Sequence, residues 1–188
     1  MKKINITFNA PVTLLFVIAC GAALLANYLT GGTTTTSLFS VYRSSMTSPL
    51  TYVRMFTHVF GYISFQQFAT NMLIILILGT LLEGKHGSGS LFMVIAVTAL
   101  STGVLHFIIG SGTIMGANGI VYAMILLAAF TDFRSGEIPL TLLAAAGLFI
   151  SGQILGDFSG ANILSNLSSL VGGAVGIISG FLLNIRKA

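Results

Sequence analysis

Few residue types in this chain of 188 residues can carry chemistry, and their spacing narrows the choice further. A hydrolytic dyad needs a hydroxyl or thiol nucleophile beside a base. The candidate bases are three histidines, His58, His86 and His106, and the candidate hydroxyls nearest a helical face are Ser168 and Ser169. His86 adjoins Lys85 in an expected cytoplasmic turn, away from any outward-facing cavity. His58 and His106 read as interfacial or helix-end imidazoles, although His58 lies close enough to a cavity mouth to be weighed as a partner for Ser168 or Ser169. No His-Glu-x-x-His run or His/Cys cluster occurs, so a zinc site is unsupported. No glycine-rich loop ends in Lys-Ser/Thr. Cys20 is the single cysteine, which excludes an internal disulfide. The remaining polar groups are amides, chiefly Gln67, Asn71, Asn118 and Asn166. Each reads either as a donor facing a polar cavity or as an ordinary hydrogen bond between helices.

The elements that must position these groups are dictated by solvent. Only 6% of residues are Asp, Glu, Lys or Arg, and mean hydropathy is +0.98. A water-soluble domain carries about 25% charged residues, so most of this surface faces lipid. A spanning helix needs roughly 20 apolar residues, and the chain has room for six, at about 10–29, 65–82, 91–109, 117–130, 138–155 and 167–183. The fold class is therefore all-α, a single polytopic membrane domain over 1–188. The run at 117–130 is short for a free span and is expected to be a buried central helix whose N-terminus borders a polar cavity. Residues 30–64, which mix Phe39, Tyr42, Tyr52 and Phe56 with Ser, Thr and Arg, read as a long first loop lying in the interface. Val17, Ile18, Ala19 and Cys20 resemble a lipoprotein cleavage box, but the apolar run continues to Leu29, so an uncleaved first helix is the simpler reading.

With six spans and a cytoplasmic N-terminus, Lys2, Lys3, Lys85, Arg134, Arg186 and Lys187 lie inside, and only Arg43 and Arg54 lie outside. That asymmetry favours both termini in the cytoplasm. The basic residues form no stripe, which argues against nucleic acid as a partner. Glu83 with Lys85, and Asp132 with Arg134, are expected in solvated turns. Gly172, Gly176 and Gly180 recur at every fourth residue on one helix face, the pattern that lets two helices approach closely in lipid.

Several motifs in order then resemble one family. Arg54 and His58 lead into Gln67 and Asn71; Gly79 and Glu83 precede Gly87, Ser88 and Gly89. Gly116, Ala117, Asn118 and Gly119 are followed by Tyr122 and Ala123, and Ser169 precedes Gly172 and Gly176. This succession resembles the rhomboid intramembrane serine proteases, whose fold is a six-helix bundle with a long first loop. The resemblance implies that Asn118 stands at the nucleophile position and Ser169 at the base position. It also implies that Gln67 and Asn71 stand with Gly116 and Asn118 around an oxyanion-binding cavity, and that Asn71 alone retains the family residue. An amide is a poor nucleophile, and serine cannot accept a proton near neutral pH as imidazole can. In a soluble serine protease, losing nucleophile or base alone costs about 10⁶ in turnover.

The resulting expectation is a catalytically inactive rhomboid-like protein that binds transmembrane helices of client proteins within a bacterial inner membrane. The lipid bilayer is its other partner, and no metal or cofactor is expected. Donors at Asn71, Gln67 and Asn118 are expected to remain available to a carbonyl. Two rival expectations are an active endopeptidase with a non-standard dyad and a small transporter or channel. The last is disfavoured because nearly every ionisable group lies at a span end.

Overall fold

A computed structural model describes residues 9–109, 112–131 and 163–185, together with Leu140, Leu143, Ala144, Gly147 and Ser151. The expected span at 138–155 therefore lies largely outside the described residues, as do Lys2, Lys3, Asp132, Arg134, Arg186 and Lys187.

The described elements are helical, and the sole bridge among them pairs Val41 with Ile114. Helix α1 runs Pro11–Leu29, with proline in its first turn, where a missing N–H costs nothing. The first loop is not structureless. It folds as α2 (Thr33–Leu38), α3 (Pro49–Thr57) and a 3₁₀ turn (His58–Phe60). Helix α4 (Phe65–His86) and helix α5 (Ser88–Ile109) are separated by Gly87 alone, whose φ of +83° is open to glycine at no steric cost. Helix α6 (Asn118–Thr131) and helix α7 (Ile163–Ile185) complete the described bundle.

By length and composition, α1, α4 and α5 are each able to cross a membrane. At 1.5 Å per residue, the 22 residues of α4 or α5 reach about 33 Å. The apolar α6 is shorter, at 14 residues. It is also heavily enclosed: Ile120, Val121, Ala123, Met124 and Leu127 are almost wholly buried. This is a polytopic membrane architecture with α6 at its centre.

Two contacts fix how the helices meet. A Cβ on Gly172 would strike the backbone of Gly119, and one on Gly176 would strike the backbone of Ala123. Without a hydrophobic force between helices in lipid, such close approach maximises dispersion contact. The pairing of 172 with 119 and of 176 with 123 makes α6 and α7 parallel. Gly180 is buried further along α7.

The second contact corrects an expectation. Glu83 is not in a solvated turn; it is 4% exposed. Its Oε1 accepts the Val12 N–H at 2.9 Å, and its Oε2 accepts the Thr13 N–H at 2.9 Å and the Thr13 hydroxyl at 2.8 Å. The first N–H groups of a helix have no intrahelical acceptor, and Ala10, which precedes α1, makes no side-chain cap. Glu83 supplies that cap from another helix. Gly79, one turn earlier, leaves the space that Thr13 occupies.

Candidate functional site

The site forms where α4 and α6 begin. Asn118 opens α6, and the residue before the turn into it, Gly116, has φ +95°. The Gly116 N–H donates to the His58 carbonyl at 2.9 Å, and Val41 and Ile114 exchange two backbone bonds of 3.0 Å. The first loop is thereby tied to the segment that carries Asn118.

Asn71, buried one turn and a half into α4, donates from Nδ2 to the Asn118 Oδ1 at 2.7 Å and to the Tyr62 hydroxyl at 3.2 Å. The Ala117 N–H also donates to the Tyr62 hydroxyl, at 3.0 Å. Gln67 is exposed on α4, and its Nε2 lies 3.6 Å from where a Cβ on Gly116 would stand. Gln67, Asn71, Gly116 and Asn118 are thus brought together. The two hydrogens of the Asn71 amide are both directed at internal acceptors, so Asn71 is not the open carbonyl donor that the sequence leads one to expect. Gln67 is exposed and Asn118 half-buried.

Position 169 lies in α7 one turn before Gly172. Gly172 itself lies against Gly119, the second residue of α6. The side chains of Asn166, Ser168 and Ser169 lie outside the described residues.

Neither weighed histidine points at this centre. His58 is 1% exposed; its Nδ1 meets the Met55 carbonyl at 3.0 Å and its Nε2 meets the Thr102 hydroxyl at 3.3 Å. A carbonyl can only accept, so Nδ1 carries the proton. Burial is the largest cause that pushes the His58 pKa down from 6.5 to about 4. The unfolded chain therefore takes up a proton as pH falls below about 6.5, and the folded one does not until about 4. Stability is expected to decline across that window by about 3 kcal/mol. Thermal unfolding in detergent at stepped pH measures it, and the decline should shrink in His58→Gln. His106, buried near the end of α5, reaches the Gly112 carbonyl at 3.4 Å through Nε2.

Tyr62 is the residue that sequence reasoning misses. It is fully buried, packs edge-on against Phe68 with centroids 5.5 Å apart, and its oxygen receives two donors. Burial pushes the phenol pKa up, so the hydroxyl stays neutral. No local pattern marks Tyr62, because its partner Ala117 is 55 residues away. Tyr62→Phe leaves two buried donors without an acceptor. The expected loss is about 1–3 kcal/mol, read by denaturation in detergent; an unchanged midpoint would mean that water replaces the hydroxyl without cost.

Among the described residues there is no group of three or more His, Cys, Asp or Glu able to hold a metal. What the described residues form is a neutral amide and phenol cluster at the N-terminal end of a buried helix.

Comparison with known proteins agrees with this architecture. The rhomboid protease GlpG of Salmonella choleraesuis (strain SC-B67) is 29% identical over 183 residues, covering 94% of this chain and 65% of the relative. That of Salmonella paratyphi A (strain ATCC 9150 / SARB42) is 28% identical over the same length. The chain thus spans just under two thirds of the length of these curated relatives. The family model of the rhomboid domain matches residues 49–186, from the start of α3 to beyond the end of α7. This polytopic membrane chain belongs to the rhomboid family.

Proposed function

We propose that this protein is a catalytically inactive rhomboid that binds the transmembrane helices of client membrane proteins. The observation that carries the reading is the Asn118 side chain. It opens the central helix, where the family resemblance puts the nucleophile, and its Oδ1 is held by Asn71 at 2.7 Å. An amide so held has no proton to lose near neutral pH and forms no acyl intermediate. Position 169, one turn before the Gly172 that packs on Gly119, carries serine where the family resemblance puts the base. Gln67 and Asn118 would contact backbone carbonyls of a client helix that enters between spans. Clients are then held or escorted without being cut.

The reading includes six crossings, with both termini in the cytoplasm of a bacterial cell and the bundle in its inner membrane. The parallel course of α6 and α7 supports it, since the intervening chain must return to the side where α6 begins. A second reading is proteolysis by a non-standard dyad, favoured by the names of the relatives, which are rhomboid proteases. His58 counts against it, because both of its ring nitrogens are engaged by Met55 and Thr102.

The test is incubation of the purified protein, in lipid, with fluorescent transmembrane substrates, beside the double variant Asn118→Ser, Ser169→His. The unmodified protein is expected to leave every substrate intact while the double variant cuts at least one. Cleavage by the unmodified protein that disappears on replacing one serine would overturn the proposal and establish the second reading.

A further inference from the structure

An apolar slot of about 220 Å³ opens on the outside of the bundle between α1, α5 and the first loop. Leu15 and Phe16 line it from α1, Phe92 and Ala96 from α5, and Phe56 and Phe60 from the first loop. The Phe16 and Phe60 rings stand 5.2 Å apart, which ties the first loop to α1 there. Every lining side chain is hydrocarbon.

The level of the slot in the membrane follows from hydrogen bonds already described. Glu83, near the end of α4, holds the Val12 and Thr13 amides at the start of α1, and α5 begins at Ser88 immediately after the turn. The starts of α1 and α5 therefore share one membrane face. From those starts, Leu15 and Ala96 lie roughly 6–12 Å along their helices. The slot is inside the adjoining leaflet, at hydrocarbon depth. Its mouth passes Leu15 (61% exposed) and Phe92 (54% exposed) and continues into the lipid-facing surface at Ile18 and Met93.

We infer that the slot is a binding site for one acyl chain of a phospholipid from that leaflet. Water does not fill it, because a cavity without polar partners stays dry. A helix does not fit it, since a helix with its side chains is about 10–12 Å across. Left empty, its walls forfeit dispersion contacts on one side. A single flexible hydrocarbon chain meets the volume and the lining, and it arrives from the surface with which the mouth is continuous. The bound chain touches Phe56 and Phe60, so it helps to seat the first loop that carries His58 and Tyr62. The inference rests on the membrane placement of the helices and is independent of whether the protein cuts its clients.

The test uses the full chain in phosphatidylcholine vesicles doped with a phosphatidylcholine that bears a photoactivatable diazirine in mid-chain. Adducts are mapped by mass spectrometry. Adducts on Phe16, Phe56 and Ala96 are expected to exceed several-fold those on Ile18 and Met93, which lie at the same depth on the open surface. Ala96→Phe fills the slot and should remove that excess while leaving the Ile18 and Met93 signals unchanged. Ala19→Leu, a smaller filling at another slot residue, serves if Ala96→Phe does not fold. Parity between slot and open surface, or an excess that survives a folded slot-filling variant, would overturn the inference.

Discussion

Glu83→Ala is expected to lower the unfolding midpoint in detergent by on the order of 10 °C. The carboxylate accepts three donors from the first turn of α1, and the variant leaves all three without an acceptor. Charge-assisted bonds of this kind are worth about 1.5–3 kcal/mol each. Water reaching the half-buried Val12 recovers part of that, so a net loss of about 3–5 kcal/mol is expected. Among the described residues, Glu83 is the side chain that accepts these first-turn donors of α1. Glu83→Gln should fall between the two, since one oxygen is kept and an amide group is set against an N–H. A midpoint shift below about 2 °C for Glu83→Ala would mean that packing of Thr13 against Gly79, and not the carboxylate, joins the two helices.

Gly176→Ala is expected to damage the bundle far more than Gly173→Ala, although the two glycines are three residues apart. A Cβ at 176 lands on the Ala123 carbonyl oxygen and within 2.7 Å of its Cα. Backbone in the middle of a helix cannot swing aside, so α6 and α7 must separate. Overpacking of this type costs about 1–3 kcal/mol or more. A Cβ at 173 meets only the Leu126 Cδ1, at 2.8 Å, which is the far end of a side chain that can rotate. Separation of α6 from α7 also moves position 169 away from Asn118, so Gly176→Ala should abolish any cleavage regained by Asn118→Ser, Ser169→His. Comparing the two alanine variants by thermal unfolding, and then within the double-variant background, checks both parts. Equal midpoints would show that the helices slide past one another and do not lock at the glycines.

The residues divide cleanly by the range over which their evidence acts. Membrane residence and helical class were legible because scarcity of charge and runs of apolar residues are properties of a window of about 20 residues. The ordered motifs from Arg54 to Gly176 were enough to identify the family. The small-residue stripe on the last helix announced a close neighbour, since glycine at every fourth position has that consequence whichever helix answers it. Motif order also groups Asn71 with Asn118, and the two side chains share a 2.7 Å hydrogen bond.

Partners at long sequence separation were not legible. Glu83 read as a turn residue beside Lys85, because nothing near it in the chain reveals that the unsatisfied amides of α1, 70 and 71 residues earlier, are its acceptor's clients. Tyr62 passed unremarked for the same reason, with Ala117 55 residues away. The sequence groups Asn71 with Asn118, but only the fold reveals that its amide nitrogen donates to both Tyr62 and Asn118. Composition and local period thus determined the solvent, the helices and the family of this protein, because those depend on each residue and its near neighbours. Which donors meet which acceptors, which helix fills the glycine stripe and which amides remain free were decided by tertiary structure alone. A hydrogen bond is satisfied by whatever lies within about 3 Å in space, and chain order does not encode that distance.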